Sequence, residues 1–196
     1  SVVIEGIALS PSSSIADKSR RTECRNARPY FVYAGGLNEA YGVGDLVREF
    51  CCSDLDAELW LFGKGPLSQM IKEVSVRDDR VRYFGFVPPS ELKNFQAGAT
   101  ALLLTRPVGD EFVKYSFPSK LLEYMLSGVP VISTKLPGIP REYYQYLTMV
   151  DDSPCQLIGA LESHLLRSSE DCQSQARRAL DFVLLAKSPK VQAGKL

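Results

Sequence analysis

The chain has 196 residues with 23 Lys+Arg against 23 Asp+Glu, so it carries no formal net charge, whereas nucleic-acid-binding domains are usually strongly basic. That length suits one well-buried α/β domain or at most two small ones. Five Cys, at 24, 51, 52, 155 and 172, make no CxxC pair and read as reduced cytosolic thiols, not a disulfide framework or a zinc site, while no apolar run approaches the ~18 residues of a membrane span and no signal peptide is recognisable.

The chain begins Ser1-Val2-Val3-Ile4 on an apolar run without a Met and reads as a fragment of a longer protein. Residues 1–28 are expected to be a crossover strand, Val2–Leu9, followed by a polar linker containing Ser12, Ser13 and Ser14. Lys18, Arg20, Arg21, Arg25 and Arg28 in that linker suit an anionic membrane surface, although such a charge run reads first as a solvated loop.

From Pro29 to residue 196 the pattern is regular. Apolar strands are predicted at Tyr30–Ala34, Glu58–Phe62, Val81–Phe84, Thr100–Leu104, Val129–Ser133 and Leu147–Val150. Between them the period changes to that of helices, at Val43–Cys51, Pro66–Val76, Pro89–Gly98, Pro118–Ser127 and Cys155–Arg167. A last helix over Ser169–Ala186 places Ala176, Ala179, Leu180, Val183 and Leu184 on one face, and Ser188-Pro189 should stop it. Six short strands alternating with helices predict an α/β fold with a doubly wound, Rossmann-like parallel sheet. Its strands should be buried on both faces, as Ala101-Leu102-Leu103-Leu104 suggests.

One stretch, Tyr115 to Ile132, concentrates the signals. Pro118 suits a first helical turn, Ser116 is the better candidate cap, and Leu121, Leu122, Met125 and Leu126 make an apolar stripe. Gly128 can take the left-handed turn that ends the helix, and Pro130 can open the next strand. Lys120 is out of place there, because a cation in the first turn opposes the helix dipole. A bound anion would reverse that, the free N–H groups and the ammonium acting together. Glu123 lies three residues on, so the alternative is an ordinary Lys–Glu surface pair.

Ligands of such sheets bind beyond the carboxyl ends of the strands. The loops there include Gly35-Gly36-Leu37, Gly63-Lys64-Gly65 and Gly85-Phe86-Val87, and glycine permits close backbone approach to a ligand. Gly35-Gly36 is not a G-x-G-x-x-G fingerprint, and no Walker lysine motif is present, so a nicotinamide dinucleotide is not expected. Lys64, between two glycines, is either an anion ligand or an exposed turn lysine. His164, the only histidine, has no nucleophile motif or second ligand beside it and reads as structural or surface. The carboxylate pairs Asp78-Asp79 and Asp151-Asp152 read as solvated charge.

Taken in order, Tyr33-Ala-Gly-Gly-Leu37, Leu59-Trp-Leu-Phe-Gly-Lys-Gly-Pro66, Val81-Arg-Tyr-Phe-Gly-Phe-Val87, Pro118-Ser-Lys-Leu-Leu-Glu-Tyr-Met-Leu-Ser-Gly-Val-Pro-Val-Ile132 and Phe182–Ala193 resemble the C-terminal, donor-binding domain of the group 1 GT-B glycosyltransferases. The resemblance implies a single nucleotide-sugar-binding domain over 29–196 and a retaining transferase whose acceptor-binding N-terminal half is missing here. By that resemblance Gly35 and Gly36 approach the diphosphate, Gly63 and Lys64 border the nucleotide, and Val87 meets the base through its backbone. Ser119 and Lys120 bind the diphosphate and Glu123 the ribose hydroxyls, with Lys120 and Glu123 serving transfer as well.

The implied donor is a nucleoside-diphosphate sugar, uridine-linked, with no metal or other cofactor. The family's Arg and Lys of the first glycine loop fall on Gly36 and Tyr41, and a sugar-facing carboxylate falls on Tyr115. Arg106, Lys114 or Lys120 can replace the charge, and Glu111 or Asp110 the carboxylate. The Pro-Ser-Lys variant looks like that of polysaccharide-assembly transferases, which implies capsule or O-antigen synthesis at the cytoplasmic face of a membrane, with peripheral contact through the missing half. The fragment alone is then expected to be silent. A non-catalytic nucleotide-binding module and a GT-B-like sugar-nucleotide epimerase are the alternatives.

Overall fold

The structure, a computed structural model, describes residues 28–109 and 116–187. The expected crossover strand, the linker up to residue 27, positions 110–115 and the stop at Ser188-Pro189 lie outside them. The strands are β1 (Tyr30–Ala34), β2 (Glu58–Phe62), β3 (Val81–Gly85), β4 (Ala101–Leu104), β5 (Val131–Thr134) and β6 (Thr148–Val150). The helices are α1 (Val43–Cys52), α2 (Ser68–Arg77), α3 (Pro89–Ala97), α4 (Ser119–Leu126), α5 (Pro154–Leu166) and α6 (Ser169–Ala186). All pairings are parallel, in the order β3-β2-β1-β4-β5-β6. This is the doubly wound Rossmann order, with its topological switch between β1 and β4.

Strand alternation divides the core into two layers. Phe31 and Tyr33 of β1, Leu59 and Leu61 of β2, and Ala101 and Leu103 of β4 pack with Leu46, Val47 and Phe50 of α1 and Leu157 and Leu161 of α5. Val32, Ala34, Phe62 and Leu102 face the other way, onto Leu121, Leu122, Tyr124 and Met125 of α4 and Ala179 and Val183 of α6. Each fully buried Leu, Phe or Val contributes about 1.5–3 kcal/mol, so the apolar runs of β1, β2 and β4 hold both helical layers at once. Leu180 is only half-buried and Leu184 is exposed, so the apolar face expected on α6 is used at its first part only.

Several element ends differ from the sequence reading, for local reasons. Helix α4 begins at Ser119, with Pro118 in extended backbone at the N-cap position and no side chain capping it; the expected Ser116 cap is not made. Strand β5 begins after Pro130, which lacks an N–H for the ladder but accepts from the Leu102 N–H at 2.8 Å. Helix α2 begins at Ser68 because Gly65–Leu67 are spent on a turn in which Ser68 N–H donates to Gly65 O and Ser68 Oγ accepts from Gly65 N–H. Two loops carry 3-10 turns that periodicity does not signal, Glu39–Tyr41 and Arg141–Tyr146.

His164 is buried, with Nε2 3.2 Å from Thr100 O; burial holds its pKa below the ordinary value, keeping the ring neutral. Its role is structural. The four described cysteines are free thiols, and Cys51, pushed up to about 11 mainly by burial, stays protonated.

At the amino-terminal end of the sheet Arg80 acts as a clamp. Its guanidinium donates to Ser53 O at 2.7 Å and Leu55 O at 3.2 Å, and to both Asp78 carboxylate oxygens. The Asp78 and Arg80 side chains are only 17% and 18% exposed, so the expectation of a solvated Asp78 is corrected: burying this carboxylate requires its partner. Arg80→Ala should destabilise the chain by about 1.5–3 kcal/mol, the range for hydrogen bonds to charged groups, measured by urea unfolding at pH 7. The hydrogen bond from Arg80 holds the Asp78 carboxyl below the usual range. The contribution should therefore be complete above the unfolded carboxylate value of about 3.9 and disappear as pH falls through the lower folded value. A difference between wild type and variant that persists unchanged below both values would contradict this.

Candidate functional site

The carboxyl ends of β1, β2 and β3 are laced together through backbone. Gly35 N–H donates to Phe62 O at 3.0 Å, Leu37 N–H to Lys64 O at 3.1 Å, and Gly63 N–H to Gly85 O at 2.8 Å. Two tyrosine hydroxyls fasten the same loops from below: Tyr33 donates to Gly36 O at 3.0 Å and Tyr83 to Gly63 O at 3.1 Å. Gly63 has φ 131°, and a Cβ placed on it would lie 1.8 Å from Gly35 O. Only glycine fits there, for both its conformation and the close approach of the two loops. Gly35, Gly36, Gly63 and Lys64 are thus brought to one place.

Lys64 is exposed, its ammonium 5.4 Å from the centre of the Phe86 ring, and Phe86 is itself 64% exposed. That lysine and ring form a cation–π contact at the rim. Val87, the next residue, is half-buried against the α4 side of the sheet. The residue bonded to Gly63 is Gly85, two positions before Val87.

Helix α4 supplies the other wall. The Leu121 N–H already donates to Pro118 O at 2.8 Å, and among the described residues no side chain caps the amino end of the helix, where the N–H groups of Ser119 and Lys120 precede any intrahelical acceptor. Ser119 is exposed at this end. Lys120 Nζ bonds Glu123 Oε2 at 2.8 Å, with the two side chains 35% and 65% exposed. The Lys–Glu surface pair therefore forms, and it forms at a helix N-terminus. A pair so exposed contributes little to stability, which leaves the lysine available to exchange one anionic partner for another.

Tyr124, which the sequence reading left out, connects the two walls. Its hydroxyl donates to Ala34 O and accepts from Ala34 N–H, each at 3.1 Å, and the side chain is 1% exposed. The register of β1 with β4 ends at Val32–Leu102, so Ala34 lies two residues past the last such pair, where the strands part. Tyr124 takes over the ladder at the switch point. The Lys120 ammonium lies 5.9 Å from the centre of the same ring, so contacts run unbroken from Lys120 through Tyr124 to Ala34 and the glycine loop. Burial pushes the Tyr124 hydroxyl above the ordinary phenol value, and likewise that of Tyr33, so both remain proton donors. The available signal was a tyrosine inside an apolar helical stripe, since a buried tyrosine hydroxyl normally needs a partner.

Arg106, at the end of β4, stacks its guanidinium 5.4 Å over the Tyr41 ring. Thr105 Oγ1 donates to Tyr41 O at 3.0 Å, and Thr134 Oγ1 to Arg106 O at 2.7 Å. Arg106 is therefore held beside the loop that follows β1. Lys114, Tyr115, Glu111 and Asp110 lie outside the described residues.

The sequence and the fold are similar to those of known proteins. The family model described as "Glycosyl transferases group 1" matches residues 28–166. N-acetyl-alpha-D-glucosaminyl L-malate synthase of Bacillus anthracis is 28% identical over 162 residues, covering 78% of this chain and 40% of that one. Among solved structures, WaaG, a glycosyltransferase of lipopolysaccharide biosynthesis, superposes with TM-score 0.71 at 16% identity, over 96% of this chain and 53% of its own. The lipopolysaccharide outer core galactosyltransferase WaaB gives 0.67 at 20%, over 87% and 48%. HepE of Anabaena, solved with UDP-glucose, gives 0.68 at 14%, over 91% and 51%. The chain therefore spans about half the length of these proteins or less, and its fold is that of their GT-B architecture. With the family model covering most of its length, the chain belongs to the group 1 glycosyltransferases.

Proposed function

We propose that this chain is the C-terminal, nucleotide-sugar-binding half of a retaining glycosyltransferase. In this reading a UDP-linked sugar is its donor, and a growing surface polysaccharide or lipid-linked acceptor is held by an N-terminal half. The observation that carries the reading is the continuity of α4 with the glycine loops through Tyr124. It sets an ammonium and the free N–H groups of a helix N-terminus beside backbone that a diphosphate can approach closely. The Anabaena structure, solved in complex with UDP-glucose, supports the choice of nucleotide.

In this reading Gly35 and Gly36 give the diphosphate room, and Ser119, Lys120 and the first-turn N–H groups take its charge. Lys64 and Gly63 border the nucleoside, and Val87 meets the base through its backbone. Glu123, released from Lys120 when the phosphate takes its place, accepts from the ribose hydroxyls. Donors aimed at the departing diphosphate stabilise the leaving group as charge develops on it, which is the work a metal ion would otherwise do. Transfer needs the acceptor half, so the chain alone binds without turning over. The setting is the cytoplasmic face of a membrane, where capsule, O-antigen or similar polymers are assembled, with membrane contact made through the missing half.

Calorimetry of the chain with uridine diphosphate should show binding that Lys120→Ala weakens by about 1.5–3 kcal/mol. Unchanged affinity in that variant would remove Lys120 from the site. Gly63→Ala should destabilise the chain by at least 1–3 kcal/mol, the order of cost of a strained backbone residue, and should abolish that binding. Gly109, whose Cβ would meet nothing within 4 Å among the described residues, should accept alanine with no effect on either measurement.

A further inference from the structure

We infer that Tyr124 is the positioning residue of this site: its hydroxyl sets the first turn of α4 against the Gly35-Gly36 loop. The inference rests on the donor-site reading above and adds a residue that contacts neither phosphate nor sugar. Helix α4 is otherwise held by Leu121, Leu122 and Met125, whose apolar packing fixes depth but has little directional preference. Its N-terminus has no side-chain cap, and the Lys120–Glu123 bond lies within the helix. Neither constrains where that turn points.

The two bonds from the Tyr124 hydroxyl to Ala34 are directional, buried, and one residue from Gly35. Because one hydroxyl donates to the carbonyl and accepts from the N–H of the same residue, sliding or rotating α4 breaks both together. Ala34 would then hold two buried polar groups with no acceptor or donor, the costly situation. The same ring lies beneath the Lys120 ammonium, so the displacement would carry Lys120 with it. Tyr124 acts on the donor only through Lys120, Ser119 and the glycine loop.

The test compares wild type, Tyr124→Phe and Ile71→Val, the last a mild core change in α2, in the opposite layer. In Tyr124→Phe the Ala34 amide should exchange about five- to tenfold faster, as expected for loss of one net hydrogen bond. The amide resonances of Gly36 and Ser119 should shift, and uridine diphosphate affinity should fall by about tenfold although Lys120 and Glu123 are intact. Ile71→Val should leave all three readouts as in wild type. Ala34 exchange and Gly36 and Ser119 resonances matching those of wild type would overturn the inference, as would an affinity loss no larger than that of Ile71→Val. Failure of the wild-type chain to bind uridine diphosphate would overturn the donor reading instead. The positioning role would then be judged by exchange and resonances alone, with unmoved signals counting against it.

Discussion

Two parallel strands that part company create both the site and a problem. Past Val32 and Leu102 the β1–β4 ladder stops, opening the crevice in which doubly wound sheets bind their ligands. The same divergence leaves the N–H and C=O of Ala34 in a buried layer without a strand to pair with, and buried backbone groups left unpaired are costly. Tyr124 answers both needs with one hydroxyl. Satisfying Ala34 requires α4 to lie with its amino end at the crevice, so the requirement that closes the core also aims the helix dipole and Lys120. The glycine loops then have little freedom. Gly63 can pass Gly35 O only because it carries no side chain, and the Tyr33 and Tyr83 hydroxyls lock the carbonyls of Gly36 and Gly63.

Electrostatics at the site are those of an exchangeable pair. Lys120 and Glu123 pair with each other in an exposed geometry worth little. A diphosphate would offer Lys120 a stronger partner while freeing Glu123 to accept hydrogen bonds. The pair therefore lowers the cost of keeping a cation at the wrong end of a helix. Arg106, held over Tyr41, stands at the end of the neighbouring strand.

Much of this was legible in the sequence because its causes are local. The strands at Tyr30–Ala34 and Glu58–Phe62 have the ends that their apolar runs predicted, and each six-strand, parallel feature follows from helices falling between them. The glycine loops were legible too, since glycine after a strand permits a turn and a close backbone approach that other residues do not. What escaped was long-range. Asp78 read as solvated because its partner Arg80, two residues on, is itself anchored to the Ser53 and Leu55 carbonyls beyond α1, which only the fold brings to it. Tyr124 passed as part of an apolar stripe because its partner is 90 residues away. The Ser116 cap failed because Pro118 holds an extended conformation immediately before the helix. Propensity names a preferred cap but not where the first turn will start.

The central claim is that the loops after β1 and β2 and the amino end of α4 form one diphosphate site. The most direct measurement is a map of backbone amide resonances of the chain as uridine diphosphate is added. The account predicts shifts gathered at Gly35, Gly36, Lys64, Ser119 and Lys120, with Asp56 and Asp79 at the other end of the sheet unmoved. Shifts gathered at that opposite end, or at the glycine loops without Ser119 and Lys120, would contradict it.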